Sequence, residues 1–338
     1  MKKIIPLIAI ALSFSCSSTQ TTVEQNNSNP TKYLNSITVK DLKKHLFIVA
    51  NDSMEGRETG SEGQKRAGNY LIEQYKSNAI SYPKAASSFY QKVPAAFLNK
   101  KYHTDLKDSE NIWAFIEGTE KPEEIIVISA HYDHIGIQDG DVYNGADDDG
   151  SGTVALLEIA QAFALAKKEG HGPKRSILFF HATGEEHGLL GSSYYSENPL
   201  YPLANTITNI NIDMIGRRDE IHPNTNNYVY LIGADRLSTQ LDSICKQAND
   251  KYIHLDLDYR FNDKNDPNHF YERSDHYNFA KHGIPSAFLF NGVHADYHQK
   301  TDTPDKIEFD ALAKRTQLAF VIAWELANGQ NRPVVDVK

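Results

Sequence analysis

From residue 111 onward the chain alternates short apolar runs with amphipathic stretches, and that rhythm limits the fold more than any other feature. The runs fall at 112–116, 125–130, 177–181, 207–214, 228–232 and 287–290. Each is short and nearly continuous in its apolar character, which suits strands covered on both faces rather than helices. Between them, 150–168, 190–197, 235–249 and 274–282 show helical spacing, and a last helix is expected over 306–328. Strands alternating with helices predict an α/β fold: a mostly parallel central sheet, mixed at its edge strands and sandwiched by helices. Upstream, 37–80 reads as helical around a charged, glycine-rich loop at 53–63, and 81–110 as irregular with one strand near 89–94. Nothing divides 37–330, which is expected to be one domain.

In open α/β sheets, functional groups gather where strands end. Five such ends here are loaded with His, Asp and Glu. After the run 125–130 come His131 and Asp133; an imidazole can bind a metal while a nearby carboxylate fixes its tautomer. Asp147, Asp148 and Asp149 sit in a glycine-rich turn before a helix, where capping needs only one acid. Glu185 and Glu186 follow a buried run, so burial and mutual repulsion call for a cation or a proton. Adjacent side chains point differently, so one can ligate a metal while the other handles a proton, as metal-assisted hydrolysis requires. Asp213 reads as an acid inside an apolar strand, unfavourable unless paired or metal-bound. The fifth end carries His294, Asp296, Tyr297 and His298. With two cysteines in 338 residues, any metal must be held by His and carboxylates. The 35 Lys and Arg against 44 Asp and Glu leave a charge of −9, and the tyrosines form no stacking pattern, so no nucleic-acid partner is expected.

The first residues read as an address. Met1-Lys2-Lys3, the apolar stretch 4–12 and the small residues before Cys16 have the layout of an export signal over 1–15. Cys16 resembles the lipid-attachment cysteine of bacterial lipoproteins, departing from that motif at Ser13, where Leu is usual. Residues 16–36 are polar and low in complexity and are expected to be a lipid-anchored flexible tether. The expected location is therefore the bacterial cell envelope, with membrane contact through lipid on Cys16 only. Cys245 is expected to be a buried small hydrophobe. The oligomeric state stays open.

Taken in order, His131-Tyr132-Asp133, the run Gly145 to Gly152, Gly184-Glu185-Glu186, Asp213-Met214-Ile215-Gly216, Ser274-Asp275-His276-Tyr277 and Tyr297-His298 resemble one family. It is the co-catalytic, dinuclear zinc aminopeptidase family, including bacterial leucyl aminopeptidases and aminopeptidase Y, and the resemblance covers about 37–328. It implies two Zn²⁺ per chain: His131 and Asp213 on one, Glu186 and His298 on the other, with Asp148 bridging and a cis Asp148–Asp149 bond. It implies Glu185 as general acid/base, Asp133 orienting His131, and Tyr297 helping to polarise the substrate carbonyl. The implied activity is a zinc-dependent exopeptidase, foremost an aminopeptidase releasing N-terminal residues from peptide substrates as two metal ions activate a bridging water. A carboxypeptidase or dipeptidase of the same fold stays open, since Arg217, Arg218 or Arg273 can hold a substrate carboxylate. A one-metal glutaminyl-peptide cyclotransferase and a catalytically silent binding domain fit less well, because no ligand position is replaced. His134, His181 and His187 fall near the site and can support the ligands, but are read first as packing or solvent-facing residues. His294 and Asp296 are read as loop polar groups, and Asp275 and His276 as shaping the substrate side or as a structural helix start.

Overall fold

The computed structural model describes Met1, residues 29–100 and residues 104–337. The expected export signal and Cys16 lie outside the described residues. Ten strands are described: β1 Tyr90–Val93, β2 Ser109–Ile116, β3 Lys121–His131, β4 Gly136–Gln138, β5 Asp141–Tyr143, β6 Arg175–Ala182, β7 Thr206–Ile212, β8 Tyr228–Ile232, β9 Asp256–Asp258 and β10 Ser286–Phe290. Eight form one sheet in the order β1-β2-β6-β3-β7-β10-β8-β9, and β4 pairs with β5 as a separate hairpin. The central strands β6, β3, β7 and β10 run parallel, with β2 and β8 antiparallel on either side. This is the mostly parallel, mixed-edge α/β sheet expected.

Both faces of the sheet are covered because both parities of its strands are apolar. Ile126, Ile128 and Ala130 of β3 and Ile177 and Phe179 of β6 join the larger core, with residues of helices Val39–Val49, Glu62–Ser77, Gly152–Lys168, Thr239–Ala248 and Phe309–Asn328. The intervening Ile125, Val127, Leu178 and Phe180 pack with Tyr195 and Phe279 of helices Leu190–Glu197 and His276–Ala280. Helix Gly152–Lys168 is buried almost all round, so its apolar residues do not form a single stripe. Cys245 is a buried thiol, as expected.

Three local expectations change. Strand β7 stops at Ile212, so Asp213 sits just past the strand rather than within it, where Met214 turns the chain at φ +57°. An ionised carboxylate is far less unfavourable at the polar rim of a sheet than among its apolar rows. The helix expected over 274–282 contracts to His276–Ala280, because Ser274 and Asp275 turn their side chains to Asp213 and Ser192. The tether expected to reach residue 36 ends sooner: Thr31–Leu34 is helical, Tyr33 and Leu34 are buried, and the Tyr33 ring stacks on Trp324 at 5.5 Å. Two apolar side chains are enough to dock a segment whose average composition reads as solvated.

The loop expected over 53–63 hides an interaction that its charged composition does not announce. Arg57 is fully buried. Its Nε donates to the Tyr132 carbonyl at 2.9 Å, Nη1 to Val49 at 3.1 Å and Asn144 at 2.6 Å, and Nη2 to Gly145 at 2.8 Å. One guanidinium thus ties the end of a helix, the segment after β3 and the turn that leads to the three aspartates. Replacing Arg57 by Gln strands several of these carbonyls, each worth about 1–3 kcal/mol when buried without a donor. Urea unfolding should show a loss of at least about 3 kcal/mol for Arg57→Gln, and Arg57→Lys should not restore it, because an ammonium lacks the planar fork.

Candidate metal centre

Four neighbouring parallel strands end at one rim, and each delivers part of the site. His131 is the last residue of β3. Glu185 and Glu186 follow β6, Asp213 follows β7, and the loop after β10 carries Tyr297 and His298. The turn from Gly145 to Ser151 brings Asp148 between them. His131 Nε2 lies 3.2 Å from Asp148 Oδ1 and 3.6 Å from Asp213 Oδ1. His298 Nε2 lies 3.1 Å from Asp148 Oδ2 and 3.1 Å from Glu186 Oε2. The two oxygens of Asp148 therefore face two separate imidazole–carboxylate pairs. Glu185 Oε2 stands 3.8 Å from His131 Nε2.

The three adjacent aspartates have three different tasks. Asp147 accepts from Gly216 N at 2.6 Å and lies 3.0 Å from His294 Nε2. Asp149 accepts from Gly152 N at 2.8 Å and Met214 N at 3.1 Å, securing the start of helix Gly152–Lys168. Asp148 is left for the imidazoles, and the Asp148–Asp149 peptide is cis. Gly152 has to be glycine here, since a Cβ would stand 2.5 Å from the Asp149 carboxylate and 2.6 Å from the Ile212 carbonyl. Behind Asp213 runs a buried polar chain: Ser274 Oγ donates to Asp213 at 2.6 Å, Asn211 to Ser274 at 2.7 Å, and Ser129 to Asn211 at 2.6 Å.

Asp133 occupies a different place from the one expected. Its carboxylate is 3.7 Å from His131 Nδ1, whereas its own carbonyl oxygen is 3.1 Å away, so the main chain sets the ring. The Asp133 carboxylate instead accepts from Thr59 Oγ1 at 2.9 Å and from the Glu185 amide at 3.2 Å. Tyr297 stacks on the His298 ring at 3.8 Å.

The crowding shows in the acidities. Burial raises the Asp148 carboxyl, but the imidazoles of His131 and His298 outweigh it and hold the group well below the usual carboxylate range. Burial and Asp148 push Glu186 up, yet His134 and His298 bring it down to about 2. Burial depresses His298, and Asp148 and Glu186 overcome it, raising the ring to about 10. For Glu185 burial is the largest influence and raises the carboxyl; the His131 imidazole, 3.8 Å away, pulls it down, but burial together with Asp213 and Glu186 wins and lifts it well above the ordinary value. The site demands positive charge, and protons on imidazole or a metal cation both answer that demand.

The donor geometry fits a metal. A tetrahedral ion with bonds of about 2.0–2.2 Å sets its ligand atoms about 3.4 Å apart. The four imidazole–carboxylate separations above, 3.1 to 3.6 Å, bracket that spacing. Nε2 of His131, Nε2 of His298 and Oδ2 of Asp148 are buried without a hydrogen-bond partner. Asp149 also lies within reach of His131 and Asp213, and His134 within reach of Asp148 and Glu186. Asp149 has one oxygen committed to two amides and His134 has Nδ1 on Glu186, so they read as supports.

For His134 the structure decides between the two places expected of it, in favour of a support behind the ligands. It is fully buried, with Nδ1 2.7 Å from Glu186 Oε1 while the other oxygen of Glu186 faces His298. Gly145, at φ +53°, makes room for it: a Cβ there would meet the His134 ring at 2.4 Å. The signal was its place one residue after Asp133, but a lone histidine there gives no partner. His294 is likewise more than a loop group, being the partner of buried Asp147. Asp302 accepts from the amides of Asp147 and Asp148 at 3.0 and 3.1 Å. His181 pairs with Tyr75 in the core and His187 with Glu58 on the rim, in line with their reading. Asp275 and His276 lie behind the site, bonded to Ser192 and stacked on Phe288.

In front of these groups opens a cleft lined on one side by Asp148, Glu185, Glu186 and Asp213. Met214, Phe270, Phe288, Phe290 and Val293 form its apolar wall, with Arg273 and Tyr297 completing the lining.

Residues 111–323 match peptidase family M28. The chain is 30% identical over 223 residues to a probable leucine aminopeptidase of Arthroderma benhamiae, which covers 64% of this chain and 57% of that protein. The chain thus spans a little over half the length of the curated relatives it matches. The LapA aminopeptidase of Legionella pneumophila superimposes with a TM-score of 0.68 at 21% identity, over 98% of this chain and 81% of that one. A Bacteroides thetaiotaomicron glutaminyl cyclase bound to N-acetylhistamine superimposes at 0.66 and 19% identity, over 87% and 99%. At such identities the superpositions show a shared fold.

Removing the His134 ring frees one oxygen of Glu186. Outer partners of metal ligands typically govern affinity by about 10–100-fold. His134→Leu should weaken zinc binding by about that factor, measured by competition with a chromophoric chelator, with little change in the circular dichroism of the fold.

Proposed function

The chain belongs to peptidase family M28, and from that premise we propose that it is a zinc-dependent aminopeptidase, releasing N-terminal residues from peptides. The observation that carries the reading is Asp148, whose two oxygens lie 3.2 and 3.1 Å from His131 and His298, each imidazole backed by its own second carboxylate. In this reading His131 and Asp213 hold one Zn²⁺, Glu186 and His298 the second, and Asp148 both. Bound zinc supplies Lewis acidity, making water acidic near neutral pH and polarising a carbonyl.

The rest of the chemistry belongs to the chain. Glu185 accepts the proton of the attacking water at its carboxylate and returns it to the departing amine. A carboxyl whose acidity burial and neighbouring acids have weakened is suited to both halves of that exchange. The Asp133 carboxylate fixes Glu185 through its main-chain amide. Tyr297, held against His298, offers its phenol to the substrate carbonyl oxygen. Met214, Phe270, Phe288, Phe290 and Val293 give an apolar first side chain a dry place to lie. An uncharged, hydrophobic N-terminal residue is therefore preferred.

The test uses the purified full chain and leucyl-p-nitroanilide. Chelation should abolish nitroaniline release, zinc should restore it, and N-acetylation of the substrate should block it. Glu185→Gln should lower kcat by about 10²–10⁴-fold while two zinc ions per chain remain by elemental analysis. Activity untouched by both chelator and Glu185→Gln overturns the assignment; one zinc per chain points to cyclase chemistry instead.

We further propose that Cys16 carries the lipid that keeps the enzyme in the cell envelope. The full chain should partition into the detergent phase of a Triton X-114 extract, and Cys16→Ser should move it to the aqueous phase. Aqueous partitioning of both overturns the anchor.

A further inference from the structure

Three arginines stand around the cleft, and their partners separate them. Arg217 donates to Asp296 at 3.0 Å, and Arg218 lies 3.2 Å from Glu308. Both charges are answered within the chain. Arg273 has no carboxylate partner among the described residues: its polar contact is the Tyr297 hydroxyl, 3.4 Å from Nη2. Its guanidinium lies over the Phe270 ring, 4.8 Å from the centroid. Phe270, Arg273 and Tyr297 all line the cleft that holds Asp148, Glu185, Glu186 and Asp213.

Three features turn this from an ordinary exposed arginine into an anchor. Among the described residues, Arg273 is the one Lys or Arg lining a cleft whose four other charged residues are acids. Its main chain is pinned, because the next residue, Ser274, bonds Asp213 at 2.6 Å. The contact with the Phe270 ring also restrains the guanidinium of a side chain that lines the cleft. A planar fork held in this way is the geometry that receives a carboxylate through two parallel hydrogen bonds.

We propose that Arg273 is a specificity residue that binds a substrate carboxylate beyond the scissile bond. The inference rests on the exopeptidase reading above and narrows its substrate class. The preferred substrate is a short peptide with an apolar first residue and a carboxylate within reach of Arg273. That carboxylate is either the free C-terminus of a dipeptide or the side chain of an acidic second residue.

Leu-Ala, Leu-Ala-amide, Leu-Asp-amide and leucyl-p-nitroanilide, given to the zinc-loaded full chain, separate the possibilities. The wild type should favour Leu-Ala, Leu-Asp-amide or both over Leu-Ala-amide by about 10- to 100-fold in kcat/KM, the weight of a charge-assisted bidentate contact. The difference should lie mainly in KM. Whichever carboxylate compound is favoured identifies the source. Arg273→Gln should lower kcat/KM for the favoured carboxylate compound far more than for leucyl-p-nitroanilide, erasing the preference, and Arg273→Lys should keep part of it. A wild type that cleaves acid and amide alike, or a variant that slows all four compounds equally, overturns the role of Arg273 while the exopeptidase reading stands. Failure to release leucine from any of the four overturns the exopeptidase reading, and this inference with it.

Discussion

Carboxylates gathered in a buried pocket repel one another and lose their hydration, and everything else about this molecule answers that constraint. Asp148, Glu185, Glu186 and Asp213 share one cleft wall, with Asp133 and Asp149 buried just behind. Such a cluster exists in a folded chain only if positive charge and hydrogen-bond donors are built around it. His131 and His298 face Asp148 from opposite sides, and His134 takes the outer oxygen of Glu186. Main-chain amides supply much of the rest: Asp149, Asp147 and Asp302 each accept from the backbone. The arrangement calls for positive charge at the point where the imidazole nitrogens lack partners, and zinc fits that demand.

The sheet makes this affordable in structural terms. Its apolar rows stop where four parallel strands end, so the acids lie at a rim and not within the hydrophobic layers. Buried polar side chains then carry rigidity from the sheet into the rim. Ser129, Asn211 and Ser274 lead in sequence to Asp213, and Arg57 clamps the loops before His134 and Asp148. Asp148 itself has no freedom to retreat, held by Asp302 through its amide and by the turn at Gly145. A charge cluster that did not have this scaffold would relax by spreading apart, and the donor spacings of 3.1 to 3.6 Å would be lost.

How much of this the sequence made legible depends on distance along the chain. The strands β3, β6, β7, β8 and β10 could be read because a covered strand is a dense apolar run, and His131, Glu185, Glu186, Asp213 and His298 lie at or after the ends of four of them. The supports could not. Arg57 looks like one charge in a charged loop, yet its partners are 8 to 88 residues away. His134 meets Glu186 across 52 positions, and Asp302 meets Asp147 across 155. The hairpin of β4 and β5 escaped for another reason: three residues are too few to show a period.

Asp133 shows the limit within a motif that was read closely. Two residues from His131, it was expected to hold the ring with its carboxylate, but the bend after β3 presents its carbonyl to the ring and sends the carboxylate to Thr59 and Glu185. The sequence by itself determined which residues are acids and imidazoles, that they follow buried strands, and hence that they collect at one rim of a parallel sheet, because periodicity and order are properties of the chain. Only the tertiary structure decided which groups support them and how the arginines pair, since among the described residues Arg217 and Arg218 find carboxylates and Arg273 does not. Pairing of charges is a matter of ångströms between distant segments, and no local pattern encodes it.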